Sequence, residues 1–226
     1  RVERIMASVI LTKTYTTPPY CEREILRYAG CREATDEAVD ILHSAVKEAE
    51  EYLTYKVCYR ELSVDISGDC CDFGIFRLNS ANLAKNLKGV KKVVLFAATV
   101  GVGIDRLIAK YSRISPSRAL MMQAIGAERI EALCDRFCED IEKEHSSGLK
   151  PRFSPGYGDL PLSVQKNVLS VLDCGKLIGV SLNDSLIMSP SKSVTAFAGI
   201  PEKGVEMPHN KCLMCDKKNC EYRSAL

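Results

Sequence analysis

Hydrophobic and polar positions change period several times along the chain, and those changes mark out its elements. Val39, Leu42, Val46, Ala49 and Leu53 recur at three- and four-residue spacing behind Thr35-Asp36, which predicts a capped helix over 35–53. Residues 56–66 alternate through Val57, Tyr59, Leu62, Val64 and Ile66 and read as a strand, with an irregularity near Arg60-Glu61. A Gly68-Asp69 turn leads to a second short strand over 72–78. Residues 80–87 read as a helix stopped by Gly89, and the apolar run 92–98 as a strand buried on both faces. Pro116, behind Ser115, opens the longest helix, which reaches about residue 144. Its expected buried stripe is Leu120, Ala124, Ala127, Ile130, Leu133, Cys134, Phe137 and Ile141, with close approach of another backbone at Gly126 and Ala127.

The remaining elements are shorter. An apolar stretch over 5–11 is followed by Pro18-Pro19, and a helix over 20–28 ends at Gly30. A helix over 162–172 has Ser163 as its cap; a turn over 175–179 then leads to strands over 185–188 and 193–200. Strands and helices mix without regular βαβ alternation, which predicts an α+β domain over 1–200 with a twisted, mainly antiparallel sheet flanked by helices. Residues 201–226 carry two prolines and no periodicity and read as a separate cysteine-rich tail.

With 226 residues, 46% hydrophobic and 27% charged, the chain is long enough for a proper core. A net charge of +2 with interspersed signs gives no basis for nucleic-acid binding, and the longest apolar run, 93–104, is too short to span a bilayer. Eleven cysteines, an odd number, partly inside helical patterns, favour free thiols in a reducing cytoplasm over a disulfide framework.

Three places carry candidate chemistry. Gly101 and Gly103 imitate the start of a dinucleotide fingerprint, but Arg106 stands where the third glycine belongs, so they are read as a tight strand-to-helix turn. Residues 150–157, Lys-Pro-Arg-Phe-Ser-Pro-Gly-Tyr, combine two prolines and Gly156 into a stiff loop holding Arg152 and Tyr157. That loop suits recognition of a small anionic or zwitterionic ligand, and reads equally as an ordinary turn with Arg152 on the surface. Glu131, beside the long helix's stripe, is either a boundary residue reaching solvent or a carboxylate facing a ligand site. In the tail, Cys212, Cys215 and Cys220 with His209 could hold zinc or an iron–sulfur cluster, or be exposed reduced thiols. His43 reads as a helix-surface or core-edge residue.

The run from Lys92 to Phe197 resembles the activation (reactivation) domain of cobalamin-dependent methionine synthase. Arg152-Phe-Ser-Pro-Gly-Tyr157 is similar to that family's Arg-Pro-Ala-Pro-Gly-Tyr signature, with Phe153 and Ser154 in place of Pro and Ala. Pro161, Gln165-Lys166, Leu172-Asp173, Lys176, Gly179, Leu182, Ser185, Met188, Pro190 and Ser193-Val194 continue it downstream, and residues 96–101 and Glu131-Ala-Leu precede it. The resemblance implies an α+β activation-domain fold and a subunit of a methyltransferase system that binds S-adenosylmethionine. Its methyl group would go to cobalamin held by a partner, rescuing the inactive Co(II) state by coupled reduction and methylation. In those terms Arg152 pairs with the ligand carboxylate and Glu131 accepts from its ammonium or hydroxyl groups. Backbone groups of Phe153 and Ser154 meet the adenine, Gly156 joins them among the ligand-binding residues of the loop, and Tyr157, also ligand-binding, stands at the mouth toward the corrin as the candidate catalytic residue. An acidic ligand residue of the family's N-terminal segment has no match here. A corrinoid-binding Asp-x-His-x-x-Gly motif is also missing, so the expectation is a free-standing subunit. It would serve a separate corrinoid-binding methyltransferase, with methionine synthase as the expected partner and an electron donor such as flavodoxin or ferredoxin; the tail cysteines would admit electrons if they hold an iron–sulfur cluster, or form a zinc-stapled docking knob.

Overall fold

The computed structural model describes residues 9–31 and 34–202. Its centre is an antiparallel four-stranded sheet in the order β1-β2-β6-β9, made of Leu11–Tyr15, Tyr55–Ser63, Lys92–Thr99 and Ser193–Ile200. The apolar run of β6 lies between β2 and β9, and every residue after Lys92 is buried, as its composition predicts. Alternation sends Val94, Phe96 and Ala98 to one face and Val93, Leu95 and Ala97 to the other.

Each face is covered by its own layer. Helices α1 (Glu22–Tyr28), α2 (Asp36–Glu50), α4 (Gly103–Ile114) and α5 (Pro116–His145) pack on the first. The second carries a small antiparallel sheet of β3 (Asp65–Ser67), β4 (Cys70–Asp72) and β5 (Arg77–Asn79), with α3 (Ala81–Asn86), α6 (Val164–Val171) and α7 (Cys174–Leu177). A two-stranded ribbon, β7 (Ser181–Leu182) with β8 (Met188–Ser189), precedes β9. The α+β architecture is therefore the one expected.

Several boundaries differ from the sequence reading. The strand predicted over 56–66 divides at Val64 and not at Arg60-Glu61, where the β2–β6 ladder is continuous. The strand predicted over 72–78 is two strands around a turn at Gly74. Ser163 makes no capping bond to α6, the turn predicted over 175–179 includes the short helix α7, and residues 185–187 form a turn leading into β8. Leu120 is 51% exposed, because α5 turns Met121, Met122 and Ile125 inward instead. The neighbours that crowd Gly126 are the side chains of Lys192 and Ile104, not another backbone.

Glu128 and Arg129 are both buried, with Arg129 Nε 2.5 Å from Glu128 Oε2. Arg129 also donates to the carbonyls of Pro18 and Pro19, and Glu128 accepts from the Cys21 N–H. A buried ion pair with its remaining valences satisfied thus clamps the segment between β1 and α1 onto α5. All described cysteines are free; Cys58 and Cys174 meet in the interior at 3.6 Å between sulfurs. No helix of the described residues is long and apolar enough to cross a membrane. The tail residues His209, Cys212, Cys215 and Cys220 lie outside the described residues.

Candidate functional site

The sheet ends at β9, whose outer edge is only half covered. Phe153 exchanges both main-chain hydrogen bonds with Phe197, and the Lys150 N–H donates to the Gly199 carbonyl. Residues 150–153 therefore run along the second half of β9 and leave its first half facing a cleft of about 290 Å³. Glu131, Arg152, Ser154, Tyr157, Gln165, Met188, Ser193, Val194 and Thr195 line this cleft. A volume of this order suits a small molecule.

The loop forming its roof is fastened at several points. Gly156, at φ +91°, donates to the Leu160 carbonyl, and Tyr157 N–H donates to the Ser154 carbonyl. Asp159 accepts from Ser80 Oγ and from the N–H groups of Ala81 and Asn82, which ties the loop to the start of α3. The Ser80 hydroxyl above all holds the Asp159 carboxyl below the usual carboxylate range. Gly158, at φ +55°, lies against Asn82, where a β-carbon would come within 2.7 Å of its amide nitrogen. The Asn86 amide donates to the Pro151 carbonyl at 3.1 Å. Rigidity of this kind holds a binding group in place before a ligand arrives.

Arg152 is the charged centre of the cleft. Its side chain is 9% exposed, and Nη2 donates to Glu131 Oε2 at 2.6 Å. Nη1 lies 2.7 Å from Asp135 Oδ1, a close ion pair. Burial disfavours the charged guanidinium, whereas the charges of Asp135 and Glu131 beside it favour it. Cys134, fully buried beside it, is pushed far above the ordinary thiol range by burial and is a neutral neighbour. Burial, followed by the charge of Glu131, also pushes up the phenol of Tyr28 on α1.

The structure thus brings together Arg152, Glu131, Ser154 and Tyr157 from the sequence-predicted set, with Tyr157 61% exposed at the rim. Phe153 does not line the cleft: its N–H and C=O are taken by Phe197, and its ring packs into the layer beneath. Gly156 shapes the loop without lining the cleft. Sequence reasoning missed Asp135 and the opposite wall of Gln165, Ser193 and Thr195 as site residues. Asp135 follows Glu131 by four positions on one helix, a spacing that shares a face. Gln165 and Ser193 already stood in the run of matching residues, whereas a threonine inside a strand carries no signal of its own.

Comparison with known proteins gives two findings. The family model described as vitamin B12 dependent methionine synthase, activation domain, matches residues 81–204. Among solved structures, the fold is similar to the crystal structure of the MetH reactivation domain bound to AdoHcy. The TM-score is 0.63 and the identity 15%, and the match covers 84% of this chain and 78% of that one. No curated protein matches the chain.

Proposed function

Because the chain belongs to the vitamin B12 dependent methionine synthase activation domain family, we propose that it binds S-adenosylmethionine in the cleft beside Arg152. The observation that carries this reading is the buried guanidinium on the cleft wall, held beside the carboxylates of Glu131 and Asp135. A guanidinium fork is the side chain best matched to a carboxylate, and the half-exposed Glu131 carboxylate beside it suits an ammonium group. One zwitterionic amino-acid moiety supplies both partners. Asp135 provides a second acid from α5, so the cationic methyl donor meets local negative charge although the family's N-terminal acid has no match.

S-adenosylmethionine supplies a methyl group for the cobalamin of a corrinoid-binding methyltransferase partner, methylation drawing an otherwise uphill one-electron reduction forward. This chain's part is positional. Arg152 and Glu131 fix the amino-acid end, the anchored loop sets the depth of the ligand, and Tyr157 at the rim faces the approaching corrin. The electron comes from an external donor of the flavodoxin or ferredoxin kind. Zinc or an iron–sulfur cluster on His209, Cys212, Cys215 and Cys220 remains part of the proposal for the tail, to be checked by metal analysis of anaerobically purified protein.

Calorimetric titration tests the site. S-adenosylmethionine binds the native protein, and Arg152→Met weakens binding by about 1.5–3 kcal/mol, the contribution of a hydrogen bond to a charged group. Arg152→Lys keeps the charge, loses the fork, and falls between the two. Native affinity in both variants removes Arg152 from the site. Formation of methylcobalamin when the protein is mixed with ligand, reductant and a corrinoid protein tests the wider role.

A further inference from the structure

The roof of the cleft hangs from two different supports. Residues 150–153 belong to the first: the Lys150 N–H donates to the Gly199 carbonyl, and Phe153 exchanges both main-chain hydrogen bonds with Phe197 on β9. The Asn86 amide also donates to the Pro151 carbonyl, so the backbone on both sides of Arg152 is fixed. Residues 154–158 lie beyond that support and carry Ser154 and Tyr157 to the cleft. Their main-chain hydrogen bonds are local, from Tyr157 N–H to the Ser154 carbonyl, from Gly156 N–H to the Leu160 carbonyl and from Leu160 N–H to the Tyr157 carbonyl. Such bonds shape a turn without attaching it to the body of the protein. Leu160 is buried in the layer beneath, an apolar contact that has no direction.

The directional attachment comes from Asp159. Its Oδ1 accepts from Ser80 Oγ and, at 3.2 Å, from the Asn82 N–H, while Oδ2 accepts from the Ala81 N–H at 2.7 Å. Ser80 is itself immobilised: it is 2% exposed, its N–H donates to the Asp69 carbonyl, and its hydroxyl accepts from the Leu83 N–H at the head of α3. Gly158 completes the fit, lying against Asn82 at φ +55° with no room for a β-carbon. A carboxylate holding several donors at once makes a strong, oriented joint. Neither Asp159 nor any residue of α3 lines the cleft, so their influence on it passes through Tyr157 and Ser154.

We propose that Asp159 is a positioning residue, which holds residues 154–158 over the cleft from α3 and so governs release of the bound ligand. Arg152, fixed by β9 and α5, keeps its place without this joint. The two residues have separate tasks: Arg152 recognises the charged end of the ligand, and Asp159 retains the ligand once it is bound. A roof already held in its bound arrangement avoids the ordering that binding otherwise costs. This inference rests on the function proposed above and assigns retention of its ligand to a residue outside the cleft.

Surface plasmon resonance of S-adenosylhomocysteine on the immobilised full chain tests it. In Asp159→Asn, which loses the charge and one acceptor, dissociation should quicken about tenfold while association changes by less than about threefold. Ser80→Ala, which removes the donor on the α3 side, should shift dissociation the same way. A double-mutant cycle locates the effect: Asp159→Asn adds little in a Tyr157→Ala background and its full factor in an Arg152→Lys background. A native dissociation rate in Asp159→Asn, or an undiminished effect in the Tyr157→Ala background, overturns this inference alone. Hydrogen exchange of ligand-free Asp159→Asn gives a second readout, with faster exchange expected over 154–160 and at the start of α3. Faster exchange throughout the sheet would assign Asp159 to the stability of the whole fold and also overturn the inference. Failure of the native protein to bind S-adenosylhomocysteine at all removes the proposed function and this role together.

Discussion

Arg152 is buried while the acids that hold it are not: the side chains of Glu131 and Asp135 are 46% and 58% exposed. This asymmetry decides what substitutions do. Removing Arg152 leaves two carboxylates that water can still solvate, whereas removing both acids leaves a buried cation without compensation. Urea unfolding should therefore show about 3–5 kcal/mol lost in the Glu131→Gln/Asp135→Asn double variant, the cost of stranding a buried charge, and markedly less in Arg152→Met. Equal losses in the two would mean that the guanidinium is better hydrated than its burial indicates. At Gly103 the arrangement is steric. A β-carbon there would run into the Tyr52 carbonyl, so Gly103→Ala should cost on the order of 1–3 kcal/mol by the same measurement. The missing third glycine at Arg106 had already excluded a dinucleotide site, and the packing of Gly103 on Tyr52 supplies the reason for the glycine that remains. The partners of Arg152 were only half readable, since a surface turn and a ligand clamp share the same eight residues. What separates them is whether a helix distant in sequence places carboxylates beneath the loop.

At the scale of elements, long periodic segments were legible and short ones were not. Helix α5 begins at Pro116 and runs to His145, close to the pattern's limits, because thirty residues of helical spacing average out local exceptions. The two-residue strands β7 and β8 exist through their mutual pairing, and no local pattern of two residues can announce that. Helix–helix contacts are equally hidden. Glu48 on α2 accepts from Tyr111 and Lys110 on α4 and from Arg118 on α5, so one carboxylate joins three helices. Burial alone would raise its pKa, but the hydrogen bonds from Tyr111, Arg118 and Lys110 lower it from 4.5 to about 2. A carboxyl whose folded pKa is depressed contributes its stability fully above its unfolded value, and that contribution disappears as pH falls through the folded value. Glu48→Gln should accordingly be less stable than the native protein at neutral pH, with the difference shrinking between about pH 4.5 and 2. A difference independent of pH would show that Glu48 acts through packing alone.

The whole molecule is a sheet with a separate apolar layer on each face, and the proposed ligand lies where both layers meet at the edge of β9. The cleft is lined from α5 on one side and α6 on the other, so a bound ligand would add a link between layers already joined by the sheet and by the loop over 150–157. That position predicts how binding affects stability. A ligand confined to one layer protects that layer locally, whereas one bridging both must be released before either can open. Thermal unfolding in the presence of S-adenosylmethionine should move as one transition, with stabilisation of about 2.7 kcal/mol at a hundredfold excess over Kd. Hydrogen exchange should slow on both sides of the sheet, in α6 and in the part of α5 around Glu131, as well as in the loop over 152–157. Protection restricted to α5 and the loop would leave the zwitterion clamp intact and place the rest of the ligand away from the wall that carries α6.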